Sequence, residues 1–505
     1  MSTLEAFQKE SETICHLQNA GRLLNWDQQI MMTKSAKAVE VRGRQKATLA
    51  RLAHERMVSD NFGEMLARAA DEVAAHPHSV EAQIVSRWQR DRRRALSVSA
   101  DLVETLSLTA AEAFDAWRRA KEQSDFSLFE PLLTKMFDLK REEARQVGYE
   151  GHPYDAMIDE FEPGMTFATV SKLFSELRPH LAKGVELITS SAKAKALARG
   201  PLDQDYCVDA QARLARLLAT RIGYPVGNRL DVGTHPFCSA NSSHDVRLVT
   251  RYHADEVNTG IFATLHESGH GLYELHSPDE LEFTPLRGGA SLGVHESQSR
   301  LWENLVGRSE PFWRWAYPLA RDHFPKQAGG YSWKDYYEGV NRVRPSFIRV
   351  EADEVTYSLH VILRFEIESA LLAGEVEAKD VPHLWNQKMK ESLGLEVPDD
   401  ATGCLQDIHW SDGLIGYFPT YCLGNLIASD LWLRIERELP ELHSQMERGD
   451  FQPLLDWLIN NLYVHASKYQ PEALLQKVLG NGIRVQPFVD YLQNKYSAIY
   501  GVDWS

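Results

Sequence analysis

Five consecutive residues carry the sharpest chemical signal in this chain: His266-Glu267-Ser268-Gly269-His270. Two histidines four apart on a helix project from one face, a turn apart, and can each turn a ring nitrogen to one metal ion. Glu267 lies about 100° further round that helix. From there a carboxylate can approach the ion's open side and take a proton from water. Two solvated histidines on a surface helix are the plainer reading of the same five residues. A catalytic metal site also needs a third protein ligand, with a further position left open. The stretch 291–303 (SLGVHESQSRLWE) is helical in pattern and offers Glu296 as first choice. Glu274 is the second choice, although three ligands along one straight helix converge poorly. Glu303 is the third, or it belongs to a solvated face. His295 either supports a ligand or is an ordinary core histidine.

Three polar runs make poor core and poor ordinary loop. Ile348-Arg349-Val350-Glu351-Ala352-Asp353 sets an arginine among apolar residues in what reads as a helical stretch. Residues 403–410 (GCLQDIHW) gather Gln406, Asp407, His409 and Trp410. Residues 413–421 (GLIGYFPTY) place Tyr417 and Tyr421 four apart. The two phenols share a face only if Pro419 sits in the first turn of a helix, where its missing N–H does no harm. A phenol or imidazole here could donate to the oxyanion of a tetrahedral intermediate; packed aromatic core is the alternative.

Together these motifs resemble the carboxypeptidase Taq type of metallopeptidase, a family of metal-dependent exopeptidases. The resemblance rests on His235-Pro236-Phe237, the 266–270 segment, His295-Glu296-Ser297-Gln298, Ile348-Arg349 with Ala352-Asp353, and Gly403 with Gln406-Asp407 and His409-Trp410, in that order. An Asp-x-Arg-x-Thr run is partly present: Asp245 and Arg247 match, but Val249 takes the threonine's place. Weaker similarity reaches upstream to Trp26-Asp27, Tyr154-Asp155-Ala156 and 162–165, so it covers nearly the whole chain. It implies His266, His270 and Glu296 as metal ligands and Glu267 as general base. The implied metal is one divalent ion per chain, zinc first, with cobalt or manganese as alternatives. It also implies a homodimer that removes C-terminal residues from peptides with broad specificity. The implied fold is mostly α: a large helical body with a deep central cleft and a small β element, similar to neurolysin and angiotensin-converting enzyme. Residues 1–505 then form one catalytic unit of two helical halves.

An exopeptidase must hold the substrate's α-carboxylate, and arginine's planar fork suits that task. Arg349 and Arg247 are the candidates, Arg349 preferred for its apolar neighbours; a structural ion pair with Asp353 or Glu354 is the alternative. His235 and His409 are further cleft candidates, His409 weighing more beside Gln406 and Asp407. An oligoendopeptidase would share the metal site but lack the far arginine.

The elements that must position these groups are mainly helical. Amphipathic periodicity marks 36–57, 82–122, 128–148, 167–193 and 208–222. Residues 226–244 are rich in helix breakers, and 245–252 (DVRLVTRY) alternates like a strand that could pair with substrate backbone. The net charge of −16 argues against nucleic acid as the main partner. The five arginines between Arg87 and Arg94 therefore read as a solvated or acid-paired face. No apolar run is long enough to span a membrane. Five scattered cysteines and an N-terminus without a basic, then apolar leader point to a cytoplasmic protein.

Overall fold

A computed structural model describes residues 3–197 and 200–504. Serine punctuation explains much of the N-terminal half. Helices Ala36–Val58, Asp60–Val73, Val80–Ser97 and Ala100–Gln123 each begin after a serine. Ser35, Ser59, Ser79 and Ser99 accept from the backbone N–H three residues on, which satisfies one of the donors that every helix start leaves open. The same device corrects the continuous helix expected over 82–122. Val98 is extended and Ser99 restarts the chain as a second helix.

Apolar side chains gather into two large cores. One takes its residues from helices Glu130–Val147, Phe167–Ser190, Tyr357–Ala373, Val381–Leu393 and Gln486–Tyr500. The other draws on Val208–Arg221, Val257–Leu275, Glu310–His323 and Gln452–Asn461. Helix Pro419–Glu438 belongs to both: Cys422, Leu423 and Leu426 face the first core, and Ile427, Leu431 and Ile435 the second. Helix Thr3–Ile30 and the first three serine-capped helices close a smaller cluster around Phe62 and Trp88.

The β element is three-stranded: β1 (Leu230–Val232), β2 (Phe237–Ser242) and β3 (Asp245–Thr250). The order is β1-β3-β2, with β3 parallel to β1 and antiparallel to β2. β1 and β2 fall where the sequence showed mainly helix breakers; β1 has three residues, and both are only partly buried. The central position of β3 overturns the expectation that it pairs with substrate. Its backbone groups are already taken on both sides, so an incoming peptide would have to use β1 or β2. The sheet lies against helix Val257–Leu275, where Thr264 Oγ1 meets Thr250 Oγ1 at 3.1 Å.

Candidate metal centre

Helix Val257–Leu275 buries Ile261, Phe262, Leu265 and Leu272 in the second core. His266 and His270 stand on its partly open face, and their Nε2 atoms lie 3.6 and 3.4 Å from Glu296 Oε2. One ligand atom from each of the three residues falls within 4.8 Å of the others. Bonds of about 2.0–2.2 Å at tetrahedral angles would set neighbouring donors about 3.3–3.6 Å apart. Two imidazoles and a carboxylate at these distances fit a divalent ion.

Glu296 reaches this point because two glycines let its helix in. It lies on Leu292–Arg300, between the histidine helix and Pro419–Glu438. A Cβ on Gly269 would stand 2.4 Å from the backbone oxygen of Gln298, and one on Gly424 would stand 2.5 Å from Glu296 Cγ. Glycine inside a helix costs about 1 kcal/mol relative to alanine, and here close helix contact offsets that cost. Arg300, one turn after Glu296, donates from Nε to Glu296 Oε1 at 2.7 Å. Oε2 is therefore the oxygen left towards the histidines.

The outer ring nitrogens are held as well. His266 Nδ1 is 2.8 Å from Glu303 Oε2. Glu303 sits on a π-helical turn, Leu301–Val306, that continues the Glu296 helix. His270 Nδ1 is 2.6 Å from His295 Nδ1, and His295 Nε2 is 3.0 Å from Glu274 Oε1. Arg287 Nη1 donates to Glu274 Oε2 at 2.8 Å. This chain assigns the protons: His270 donates from Nδ1, His295 donates from Nε2 to the carboxylate, and His270 Nε2 stays free as a ligand. The two reserve ligands, Glu274 and Glu303, are thus partners of the histidines. His295 is the support between His270 and Glu274.

Electrostatics follow the burial. Glu267 is buried, which pushes its carboxyl up to about 7, with Glu296 and Glu303 adding to the rise against the opposing pull of His266. Burial lowers His270 to about 4. Burial opposes the charge of Glu296, yet Arg300 and His266 hold it well below the usual carboxylate range. Glu303 is partly buried, and against the burial Arg300 and His266 bring it down to about 2.

A second polar cluster lies on the side of the first core. Arg349 occupies a single 3-10 turn, Arg349–Glu351, rather than the helix its neighbours suggested. Its Nε and Nη2 donate to Asp407 Oδ1 at 3.1 and 2.9 Å, and its Nη1 to the Tyr357 hydroxyl at 3.2 Å. The structural ion pair considered for Arg349 forms, but with Asp407 in place of Asp353 or Glu354. Asp353 instead accepts from the backbone of Arg344, Val355 and Thr356, while Glu354 pairs with Lys495. Pro419 does begin its helix, so Tyr417 and Tyr421 come together with ring centroids 5.4 Å apart. The Tyr421 hydroxyl is 3.3 Å from His409 Nε2. Arg300 joins the two clusters: it bonds Glu296 and lies 4.2 Å over the Tyr357 ring.

The other two candidates are placed differently. Arg247 donates from Nε and Nη2 to Asp245, both at 2.7 Å, and stacks on Trp26 at 4.3 Å. His235 is exposed on the loop between β1 and β2. Sequence reasoning passed over Arg300, Tyr357 and the two glycines. Only Arg300 had a signal, its four-residue spacing from Glu296. The run between Arg87 and Arg94 is acid-paired as expected, through Asp91, Asp159 and Glu160.

Comparison with known proteins agrees with the site. Residues 6–496 match the family described as Carboxypeptidase Taq (M32) metallopeptidase. The chain is 41% identical to Thermostable carboxypeptidase 1 of Thermus thermophilus, over 98% of both proteins. It is 35% identical to the Pyrococcus furiosus protein of the same name, over 97% of this chain and 99% of that one. The M32 carboxypeptidase structure from Deinococcus radiodurans superposes with a TM-score of 0.94 at 34% identity, covering 99% of this chain and 100% of the other. With a His/His/Glu metal-binding group at its centre, the chain belongs to the carboxypeptidase Taq (M32) family and is a metallocarboxypeptidase.

Proposed function

We propose that the protein removes C-terminal residues from peptides with broad specificity, with Glu267 as general base and Arg349 as the anchor for the terminal carboxylate. The observation that carries this reading is the fixed link from Glu296 through Arg300 and Tyr357 to Arg349. It sets one span between the place of cleavage and a guanidinium that retains an N–H on each terminal nitrogen. His266, His270 and Glu296 would hold one divalent ion, zinc in our reading, with cobalt or manganese as alternatives. Such an ion supplies Lewis acidity at the scissile carbonyl and makes water a stronger acid.

The remaining work falls to side chains. Glu267 follows His266 directly and is buried, so little bulk water competes for the proton it takes from the attacking water and returns to the leaving amine. His409, Tyr417 and Tyr421 are the donors we assign to the oxyanion, supported by their mutual contacts and their closeness to Arg349, whose Cζ is 4.7 Å from the Tyr421 ring. Arg247, committed to Asp245, and the exposed His235 have weaker support as substrate contacts. Residues 1–505 act as one unit of two helical halves, a reading supported by the two cores that share helix Pro419–Glu438. A homodimer follows from the family resemblance, and a cytoplasmic location is supported by five free thiols. No described helix is long and apolar enough to cross a membrane.

The test pairs Glu267→Gln with Arg349→Met on a blocked dipeptide and on its C-terminal amide. Glu267→Gln should retain metal and lose about 10³-fold in kcat. Arg349→Met should abolish the preference for the free terminus. An unchanged preference would place the anchor elsewhere.

A further inference from the structure

We propose that Arg364 is a positioning residue that engages Asp407 so that Arg349 keeps a net positive charge for the substrate's carboxylate. The inference rests on the reading of Arg349 given above. Arg364 lies on helix Tyr357–Ala373 and is fully buried. Every nitrogen of its fork meets a fixed acceptor. Nε donates to Asp407 Oδ2 at 2.7 Å, Nη1 to the His360 carbonyl at 2.7 Å, and Nη2 to Gln406 Oε1 at 2.6 Å. Its Cζ lies 4.5 Å over the Trp385 ring. Nothing in this arrangement is open to a substrate.

Asp407 is therefore one carboxylate shared by two guanidiniums, with Arg349 on Oδ1 and Arg364 on Oδ2. Arg349 alone would neutralise it. The second arginine satisfies Oδ2 but is not needed to neutralise the acid, and it leaves one positive charge in the cluster, which is costly for folding. The surrounding groups do not cancel that charge. Lys121, bonded to the Gln406 carbonyl at 2.9 Å, has the same sign. His360 and His409 add no anion, and Glu368, on the same helix, is held by Tyr154, Trp410 and Gly416 instead. A terminal carboxylate arriving on the remaining N–H groups of Arg349 would bring two acids against two arginines. Arg364 so acts at one remove: it touches Asp407 and Gln406, and Gln406 Oε1 also accepts the Arg349 backbone N–H at 2.9 Å.

The experiment compares Arg364→Met, Asp407→Asn and the double variant on a blocked dipeptide with a free C-terminus, with thermal melts to confirm folding. Arg364→Met should raise KM roughly 30- to 100-fold, with kcat changing far less. Adding Asp407→Asn removes the acid that now neutralises Arg349, and should recover at least about tenfold of that KM. Binding of an N-acetyl amino acid against its amide, followed by calorimetry, should lose and regain its carboxylate preference in step. A raised KM without recovery in the double variant would show a merely structural role and overturn the proposal. If Arg349→Met erases the carboxylate preference while Arg364→Met leaves KM unchanged, this inference alone fails. If neither variant alters the preference, the anchor reading fails first. Should Arg364→Met not fold, Arg364→Lys carries the test: retained charge should retain the preference, and a loss as large as that in Arg349→Met would overturn the proposal.

Discussion

The two ends of the site are built from buried charged groups and are unbalanced in opposite senses. Around His266 and His270, Glu296 and Glu303 pair with Arg300 and Arg308, and the buried Glu267, raised to about 7 by burial and by those two acids, adds a third carboxyl that bears charge in excess as it ionises. At the far end, among the described residues, Arg349 and Arg364 share the one carboxylate of Asp407. Buried charge in excess is destabilising until something of opposite sign arrives, so one end is shaped for a cation and the other for an anion. The ends also differ in construction. The charged groups of the metal end come from one stretch of chain, 266–308, on helices that Gly269 and Gly424 bring together. The arginine end is assembled from a 3-10 turn at 349, a helix at 364, the irregular run 406–418 and the first turn of helix Pro419–Glu438. A peptide with its scissile carbonyl at the first and its terminal carboxylate at the second meets both demands at once.

Removing the acid excess should have the largest effect. Glu296→Gln keeps the volume beside Gly424 but discards the charge that faces both histidines. Metal bound per chain, measured by elemental analysis after dialysis, should fall below about a tenth of the native value, and activity by more than about 10³-fold. Full metal retention would break the contrast drawn between the two ends.

The same contrast explains what could be read from the sequence. The metal end was legible because helical periodicity alone puts His266 and His270 on one face, and a second helical run with a carboxylate lay close by. The partners of the histidines were visible as residues but not as roles: Glu274 and Glu303 looked like ligands because carboxylate chemistry is the same in either role. The arginine end was half legible. Arg349 stood out among apolar neighbours, but its acid lies in Asp407, and no periodicity links 349 to 407. Arg364 carries the same local signal, between Leu363 and Phe365, but was passed over, and no periodicity links it to 407 either. Gly269 was seen only as part of a spacing pattern, since close helix approach depends on a partner, Gln298, from another element. The helices were largely legible through periodicity, though not the serine that restarts the chain at 99, whereas β1 has three residues and β2 ends in a small, polar run, 239–242, that does not alternate.

A smaller effect should separate the two ends by pH. Glu368 borders the arginine end and accepts from Tyr154, Trp410 and Gly416, yet burial pushes its carboxyl up to about 7. An unfolded glutamate titrates near about 4.3. Between those values the folded chain holds a proton that the unfolded chain releases. The stabilisation is therefore complete below the unfolded value and is lost as pH rises through the folded one. Glu368→Gln cannot titrate, so the stability gap between native protein and variant should shrink by about 2 kcal/mol between pH 5 and pH 8, read from urea melts. A gap independent of pH would mean that Glu368 is charged throughout and that the arginine end is less cationic than described.

The smallest expected effect tests whether the metal end depends on its outer bonds. His295 touches His270 through Nδ1 and Glu274 through Nε2, and Arg287 holds Glu274 in turn. His295→Ala leaves all three metal-facing groups in place but frees the His270 ring to rotate and removes the acceptor that fixes its proton on Nδ1. Losing such a support typically weakens metal affinity by 10- to 100-fold. The lower figure, about tenfold, applies here because Glu303 still orients His266 and Arg300 still orients Glu296. Competition with a chelator of known affinity measures the loss. The KM of the metal-loaded variant for a peptide with a free terminus should stay close to native, since Arg349 and Asp407 make no contact with His295. A change in KM larger than the change in metal affinity would mean that the two ends are coupled through more than the Arg300–Tyr357 contact.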